Sequence, residues 1–219
     1  MENKQVNSKK RVRDHGEVFT NHREVVNMLD LVKNETLRLD SRFLEPACGN
    51  GNFLVEILSR KLDVLVKKYG KNKLDFEKYS IITLGSIYGI DILTDNVSDS
   101  RGRLYKLWLE MYKTIFNDAP SPSLISSVKF VLKKNIILGD ALTMCEINGK
   151  PLIVSEWVLI KGSYIQRSDY SFSDLLNPPI KINAIDGGVL KYGSRRINNS
   201  QGIPRFLSKT ITPYNNICD

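Results

Sequence analysis

Three acidic residues, Glu45, Asp91 and Asp140, each follow a short apolar run in the sequence. Two of these runs, Ile87–Asp91 and Ile136–Leu138, have the composition of buried β-strands. In an open α/β sheet the carboxyl ends of the strands face the crevice where ligands bind. At such an edge Asp91 is placed to accept hydrogen bonds from a ribose diol, and Asp140 from the exocyclic amine of an adenine ring. The three acids therefore predict a pocket for a nucleoside-containing cofactor.

A two-glycine turn connects a further predicted strand, Arg42–Glu45, to the helix that follows it, in the stretch Glu45–Phe53. Gly49 and Gly51 allow the backbone to approach a ligand closely, and the start of the next helix supplies free N–H donors. A dinucleotide site would need a third glycine at a fixed offset and an acid about 20 residues further on. No third glycine stands at that offset, and Asp91, the next acid at a strand end, lies much further along the chain. The turn therefore argues against NAD or FAD.

Strand and helix alternate over residues 17–142, which predicts an α/β fold with a mostly parallel sheet and helices on its faces. We assign residues 1–16 to a polar, basic arm. We expect Pro120 and Pro122 to mark a loop before the third strand. In residues 143–219 the alternation stops. There Asn148-Gly149 predicts a β-hairpin turn, followed by a basic C-terminal extension.

The composition excludes several classes of protein. The chain has 219 residues, of which 42% are hydrophobic and 26% charged, and this is typical of a folded globular domain. Three scattered cysteines and two histidines disfavour a disulfide framework, a cysteine-rich zinc site and histidine-based triads. The N-terminus lacks the apolar segment of a signal peptide and no run is long enough to span a bilayer. We therefore expect a soluble, cytoplasmic protein that has no membrane partner.

The formal net charge of +8 comes from 32 Lys and Arg against 24 Asp and Glu. The excess is concentrated at the two ends of the chain. This distribution fits contact with a polyanion such as DNA. Solvated tails that keep the protein soluble would have the same composition.

Four segments resemble, in order, the motifs of the adenine-specific, amino-methylating DNA methyltransferases of restriction–modification systems. They are GEVFT from Gly16, EPACGNGNFL from Glu45, IYGIDILTDNVSDSRGRL from Ile87 and NIILGDAL from Asn135. One departure is Asn21, which stands where that family usually has proline. The resemblance covers residues 16–142 and implies a Rossmann-like fold that binds S-adenosylmethionine.

The same resemblance implies a role for individual residues. Phe19 and Thr20 would lie near the methionine end of the cofactor. Asp91 would bind the ribose, with Ile92 against the adenine ring and Asp140 accepting from its amino group. The residues expected to line the first loop are Glu45, Ala47, Gly49 and Gly51.

Methyl transfer in this family also requires a motif of Asn or Asp, two prolines and an aromatic residue. Its polar groups accept hydrogen bonds from the target amine, and its aromatic ring stacks on a base flipped out of the duplex. The candidate here is Asn177, Pro178 and Pro179, followed by Ile180 in place of the aromatic residue. The candidate also comes well after Asp140, whereas the family's motif ends a strand shortly after the third cofactor motif.

The leading hypothesis is thus methylation of the exocyclic amine of adenine in DNA, within a restriction–modification or mobile-element system. DNA and a specificity or restriction subunit would be the partners, and no metal is implied. A second resemblance, of Ser155–Trp157 and Gln166–Tyr170 to short proteins labelled restriction subunit M, supports an alternative. In it the chain is a degenerate module that binds the cofactor, and DNA or a partner subunit, without turnover. Methylation of another amine, in cytosine, RNA or protein glutamine, stays open.

Overall fold

The computed structural model describes residues 9–15, 17–176 and 206–218. Within these ranges the chain forms eight helices and six strands. The helices are α1 (Lys9–His15), α2 (His22–Asp30), α3 (Lys33–Thr36), α4 (Asn52–Tyr69), α5 (Lys73–Gly85), α6 (Thr94–Phe116), α7 (Pro122–Asn135) and α8 (Phe172–Leu176). The strands are β1 (Phe43–Glu45), β2 (Ile87–Asp91), β3 (Ile136–Leu138), β4 (Ile153–Leu159), β5 (Tyr164–Ser171) and β6 (Phe206–Pro213).

A parallel sheet of three strands, in the order β1-β2-β3, forms the centre of the fold. Glu45 pairs with Gly89, and Asp91 pairs with Leu138. Helices α4 and α5 connect β1 to β2, and α6 and α7 connect β2 to β3. The predicted α/β class with a parallel sheet is therefore confirmed. Since the strands are neighbours and parallel, their carboxyl ends lie along one edge of the sheet, which we call the carboxyl edge.

Helices cover one face of the parallel sheet, where Gly89 of β2 allows close packing. A Cβ atom placed on Gly89 would lie 2.7 Å from Leu54 of α4 and 3.0 Å from Cys48, so α4 lies directly against the strand. Fully buried apolar residues of α4, α6 and α7 continue this core. Trp108 of α6 is among the largest of them.

An antiparallel sheet in the order β4-β5-β6 covers the other face. Tyr88 and Ile90, which point away from α4, pack in one cluster with residues of this sheet and its neighbours: Leu152, Val154, Tyr170 and Phe172. The phenol of Tyr88 also donates to the main-chain oxygen of Ser155, at 2.9 Å. Alternate residues of β2 therefore belong to two cores, one shared with helices and one shared with the antiparallel sheet.

The predicted C-terminal hairpin is present, but its principal turn lies elsewhere. Asn148-Gly149 does form a tight turn, in which Glu146 N donates to Lys150 O at 2.7 Å. Beyond it the chain makes only isolated bridges around Cys145. The long hairpin consists of β4 and β5, joined at residues 160–163, and β6 adds to it from the stretch in which we expected only a basic extension.

Four helices were not predicted from the sequence: α1, α3, α7 and α8. Pro120 lies in the expected loop, but Pro122 is already the first residue of α7. Ser121 is the N-cap of this helix, and its Oγ accepts from Leu124 N at 3.2 Å. Pro122 occupies the first turn of α7. A backbone N–H there would have no partner within the helix, so proline loses no hydrogen bond, and its fixed φ suits a helix. The polar arm also contains a helix, α1. Among the described residues no helix is long and apolar enough to cross a membrane.

Candidate functional site

The turn after β1 is shaped by two glycines in the left-handed region. Gly49 has a φ of 52° and Gly51 a φ of 86°. A Cβ atom on Gly51 would lie 2.6 Å from Ser100 Oγ, and one on Gly49 would lie 3.1 Å from Phe19 Cε1. Both positions therefore require glycine, for conformation and for space. The turn ends in α4, whose N-cap is Gly51.

Asp91 connects the end of β2 to this turn. Its Oδ2 accepts from Gly49 N at 2.8 Å, and its Oδ1 accepts from Leu93 N at 2.9 Å and from Asn96 Nδ2 at 3.2 Å. The carboxylate is 9% exposed. It therefore holds the glycine turn against the start of α6, and its position is determined by three donors.

Glu45 and Asp140 flank Asp91 at the carboxyl edge. Burial raises the pKa of the Glu45 carboxyl, while a hydrogen bond from the backbone of Ala47 opposes the increase. Gly139 N donates to Asp91 O at 2.9 Å, which brings the residue before Asp140 against β2. Asp140 Oδ1 in turn accepts from Leu142 N at 2.8 Å. The three predicted acids thus occupy one edge, in the order of their strands.

The segment before α2 packs against the turn. Phe19 is buried and its ring contacts Gly49. The main-chain oxygen of Thr20 accepts from Asn52 Nδ2 at 3.0 Å, which ties the segment to the first residue of α4. Ala47 is exposed beside the turn, and Ile92 is 45% exposed after β2. The predicted cofactor residues therefore gather at the carboxyl edge, whereas Asn177, Pro178 and Pro179 lie outside the described residues.

Four polar residues at this edge were not singled out in the sequence: Glu17, Asn96, Ser100 and Arg103. Ser100 Oγ donates to Gly49 O at 3.0 Å, and Arg103 Nη1 donates to Asn50 O at 2.7 Å. Three of them lie at positions i, i+4 and i+7 of α6, so they share one face of that helix. That spacing is the signal that could have identified them.

Arg11 of α1 reaches the same edge. Its guanidinium donates to Glu17 Oε1 at 2.6 Å, to Asn96 Oδ1 at 3.2 Å and to the carboxylate of Asp95. The hydrogen bond from Arg11 lowers the pKa of Asp95 below its usual range. One of the basic residues of the arm is therefore engaged with the carboxyl edge itself.

A cavity of about 350 Å³ lies at the opposite edge of the parallel sheet, at the amino ends of β1 and β2. It lies between this edge and β4, and its lining includes Arg42, Tyr79, Ser86, Glu156 and Trp157. Arg42 pairs with Glu156 at 2.7 Å. The cavity shares no residue with the carboxyl edge, so it does not belong to the predicted cofactor site.

Within the described part of the chain, no three His, Cys, Asp or Glu side chains are grouped so that they could hold a metal ion. No protein-family model, curated protein sequence or solved structure matches the chain. The functional argument therefore depends on the motifs and on the geometry of the carboxyl edge.

Proposed function

We propose that the chain binds S-adenosylmethionine at the carboxyl edge. The observation that carries this proposal is the placement of Glu45, Asp91 and Asp140 at the ends of three neighbouring parallel strands, with the two-glycine turn between β1 and α4. Ligands of open α/β sheets bind at this edge.

The chemistry of the edge fits that cofactor. S-adenosylmethionine carries a sulfonium charge, an ammonium group, a ribose diol and an adenine amine, and all of these prefer acceptors or negative charge. The carboxyl edge supplies three carboxylates. In addition, Asn50 Oδ1 is buried in the turn without a hydrogen-bond partner among the described residues. Such an acceptor is expected to gain a partner from a ligand or from water.

Each residue has a separate task in this proposal. Asp140 accepts from the adenine amine, Asp91 holds the ribose, and the turn at Gly49 and Gly51 lets the backbone approach the cofactor. Phe19 covers the turn and excludes water. The bound cofactor supplies an electrophilic methyl group, and the rate of transfer depends on how well the acceptor amine is positioned against it.

We further propose that the acceptor is the exocyclic amine of adenine in DNA. The four ordered motifs and the net charge of +8 support this assignment. In this proposal a specificity or restriction subunit selects the DNA sequence.

A second candidate function is favoured by the elements around the candidate catalytic motif. The residues directly before Asn177 form the helix α8, not a strand, and β4 lies in the antiparallel sheet. The methyltransferases that the four motifs resemble carry this motif at the end of a strand. A module that binds the cofactor without turnover fits these two observations.

Calorimetry with S-adenosylmethionine tests the first proposal. Asp91→Asn keeps the size of the side chain but removes its charge, and we expect the affinity to fall by about 10-fold or more. Asp99→Asn, an exposed acid on α6, is the matched control and should leave the affinity unchanged. Equal affinity of the wild type and Asp91→Asn would contradict the assigned role.

Transfer of labelled methyl to unmethylated DNA of mixed sequence separates the two candidate functions. Label on adenine that disappears in Asn177→Ala, but persists in the control Asn183→Ala, would establish the enzyme and its catalytic asparagine. Binding of the cofactor without any label would favour the module, and addition of candidate partner subunits would be the next assay.

A further inference from the structure

Glu17 is a buried carboxylate whose two oxygens have very different surroundings. The residue is 9% exposed. Its Oε1 accepts from Arg11 Nη2 at 2.6 Å and from Asn96 Nδ2 at 2.8 Å. Its Oε2 is buried and has no hydrogen-bond partner among the described residues. A buried carboxylate oxygen without a donor is costly, so a missing donor is expected at this position.

Asp91, in contrast, has little remaining capacity. A carboxylate can accept about four hydrogen bonds. Three are already taken, by the main-chain nitrogens of Gly49 and Leu93 and by Asn96 Nδ2. A ribose diol presents two hydroxyl donors on adjacent carbons. Asp91 can therefore receive one of them without giving up a bond that holds the turn, but not both.

Asn96 brings the two carboxylates together. Its Nδ2 lies 2.8 Å from Glu17 Oε1 and 3.2 Å from Asp91 Oδ1, so the two acids flank the same nitrogen. Asn96 is itself 2% exposed. Arg11 compensates part of the negative charge through Glu17 Oε1, which leaves Oε2 available to a neutral donor.

We propose that Glu17 is a second ribose-binding residue of the carboxyl edge: its Oε2 accepts one hydroxyl of the diol, and Asp91 accepts the other. This inference rests on the proposed binding of S-adenosylmethionine. It makes the pair of acids, and not Asp91 alone, the determinant that recognises the intact ribose diol, with each acid responsible for one of its two hydroxyls.

Calorimetry with S-adenosylhomocysteine and its 2′-deoxy and 3′-deoxy analogues tests the proposal. The wild type should prefer the parent compound to each analogue by about 10- to 100-fold, the value of one hydrogen bond to a charged group. Glu17→Gln should lose its preference against one analogue and keep it against the other. Asp91→Asn should lose the preference that Glu17→Gln keeps, because Asp91 accepts the other hydroxyl.

Glu24→Gln, an exposed acid of α2, is the matched control and should keep both preferences. Glu17→Asp keeps the charge but moves the carboxylate oxygens away from the diol. It provides the same test if thermal denaturation shows that Glu17→Gln is not folded. If Glu17→Gln keeps both preferences, the proposal is overturned. If it loses both, Glu17 acts only by positioning Asp91, which also overturns it. If folded wild-type protein binds none of the three compounds, the proposed function itself fails.

Discussion

Lys61 of α4 should make the stability of the fold depend on pH in an unusual direction. The residue is fully buried. Its Nζ donates to the main-chain oxygens of Leu39 and Ser41 and to Ser86 Oγ, so no carboxylate is among these acceptors. Burial lowers the pKa of the ammonium from 10.5 to about 7. Below that pH the folded protein must bury a charge.

The sign and size of the effect follow from linkage. Between the folded pKa of about 7 and the unfolded value of 10.5, the unfolded chain holds a proton that the folded chain has lost. The free energy of unfolding therefore increases with pH, by at most about 1.4 kcal/mol per pH unit. From pH 7.5 to 9.5 the gain is roughly 2–3 kcal/mol. The three acceptors of Nζ favour the charged form, so this is an upper value.

Urea unfolding of the wild type, Lys61→Met and Lys68→Met at about pH 7.5, 8.5 and 9.5 measures the effect. Lys68 is exposed on the same helix and is the matched control. We expect Lys61→Met to lack the increase that the other two proteins share. The methionine also leaves three acceptors without a donor, which lowers stability equally at every pH, so the slope and not the absolute value is the test. Parallel slopes for all three proteins would refute the reasoning.

Three further substitutions have clear expectations in thermal or urea unfolding. Gly51→Ala should destabilise the protein by about 1–3 kcal/mol, because its φ is positive and its Cβ would lie 2.6 Å from Ser100 Oγ. Gly102 lies in α6, and a Cβ atom added there would have no neighbour within 4 Å, so Gly102→Ala should instead stabilise the protein by about 1 kcal/mol. A change in stability of the same sign for both glycine substitutions would contradict this reasoning. Tyr214→Phe should cost about 1.5–3 kcal/mol, since its hydroxyl donates to Glu77 Oε2 at 2.7 Å. An unchanged midpoint would show that this bond contributes nothing.

The strands of the parallel sheet could be predicted from local sequence because their ends are chemically marked. Ile87–Asp91 and Ile136–Leu138 were predicted with the boundaries that the structure has. Pro46 ends the first strand, and glycines mark the turn that follows it. The three acids predicted to bind the cofactor lie at one edge for the same reason: parallel neighbouring strands bring their ends to one edge, whichever helices connect them.

The helix α7 and the strand β6 escaped prediction for different reasons. Prolines commonly indicate a loop, and Pro120 and Pro122 were interpreted in this way. Proline is, however, also favourable as the first residue of a helix, which is the position of Pro122 in α7. The strand β6 has no distinctive local pattern, and it forms by pairing with β5. Pairing of distant segments is decided by the partner strand and not by intrinsic propensity.

The sequence by itself determined the strands of the parallel sheet and the acids at their ends, because hydrophobic periodicity and turn residues act over a few neighbouring positions. Only the tertiary structure decided which carboxylate oxygens remain without a donor and can accept a hydrogen bond from a ligand. Glu17 and Asn96 are 79 positions apart, and their hydrogen bond follows from the packing of the N-terminal segment against α6. Such a contact leaves no local pattern, since it depends on where two separately folded segments meet.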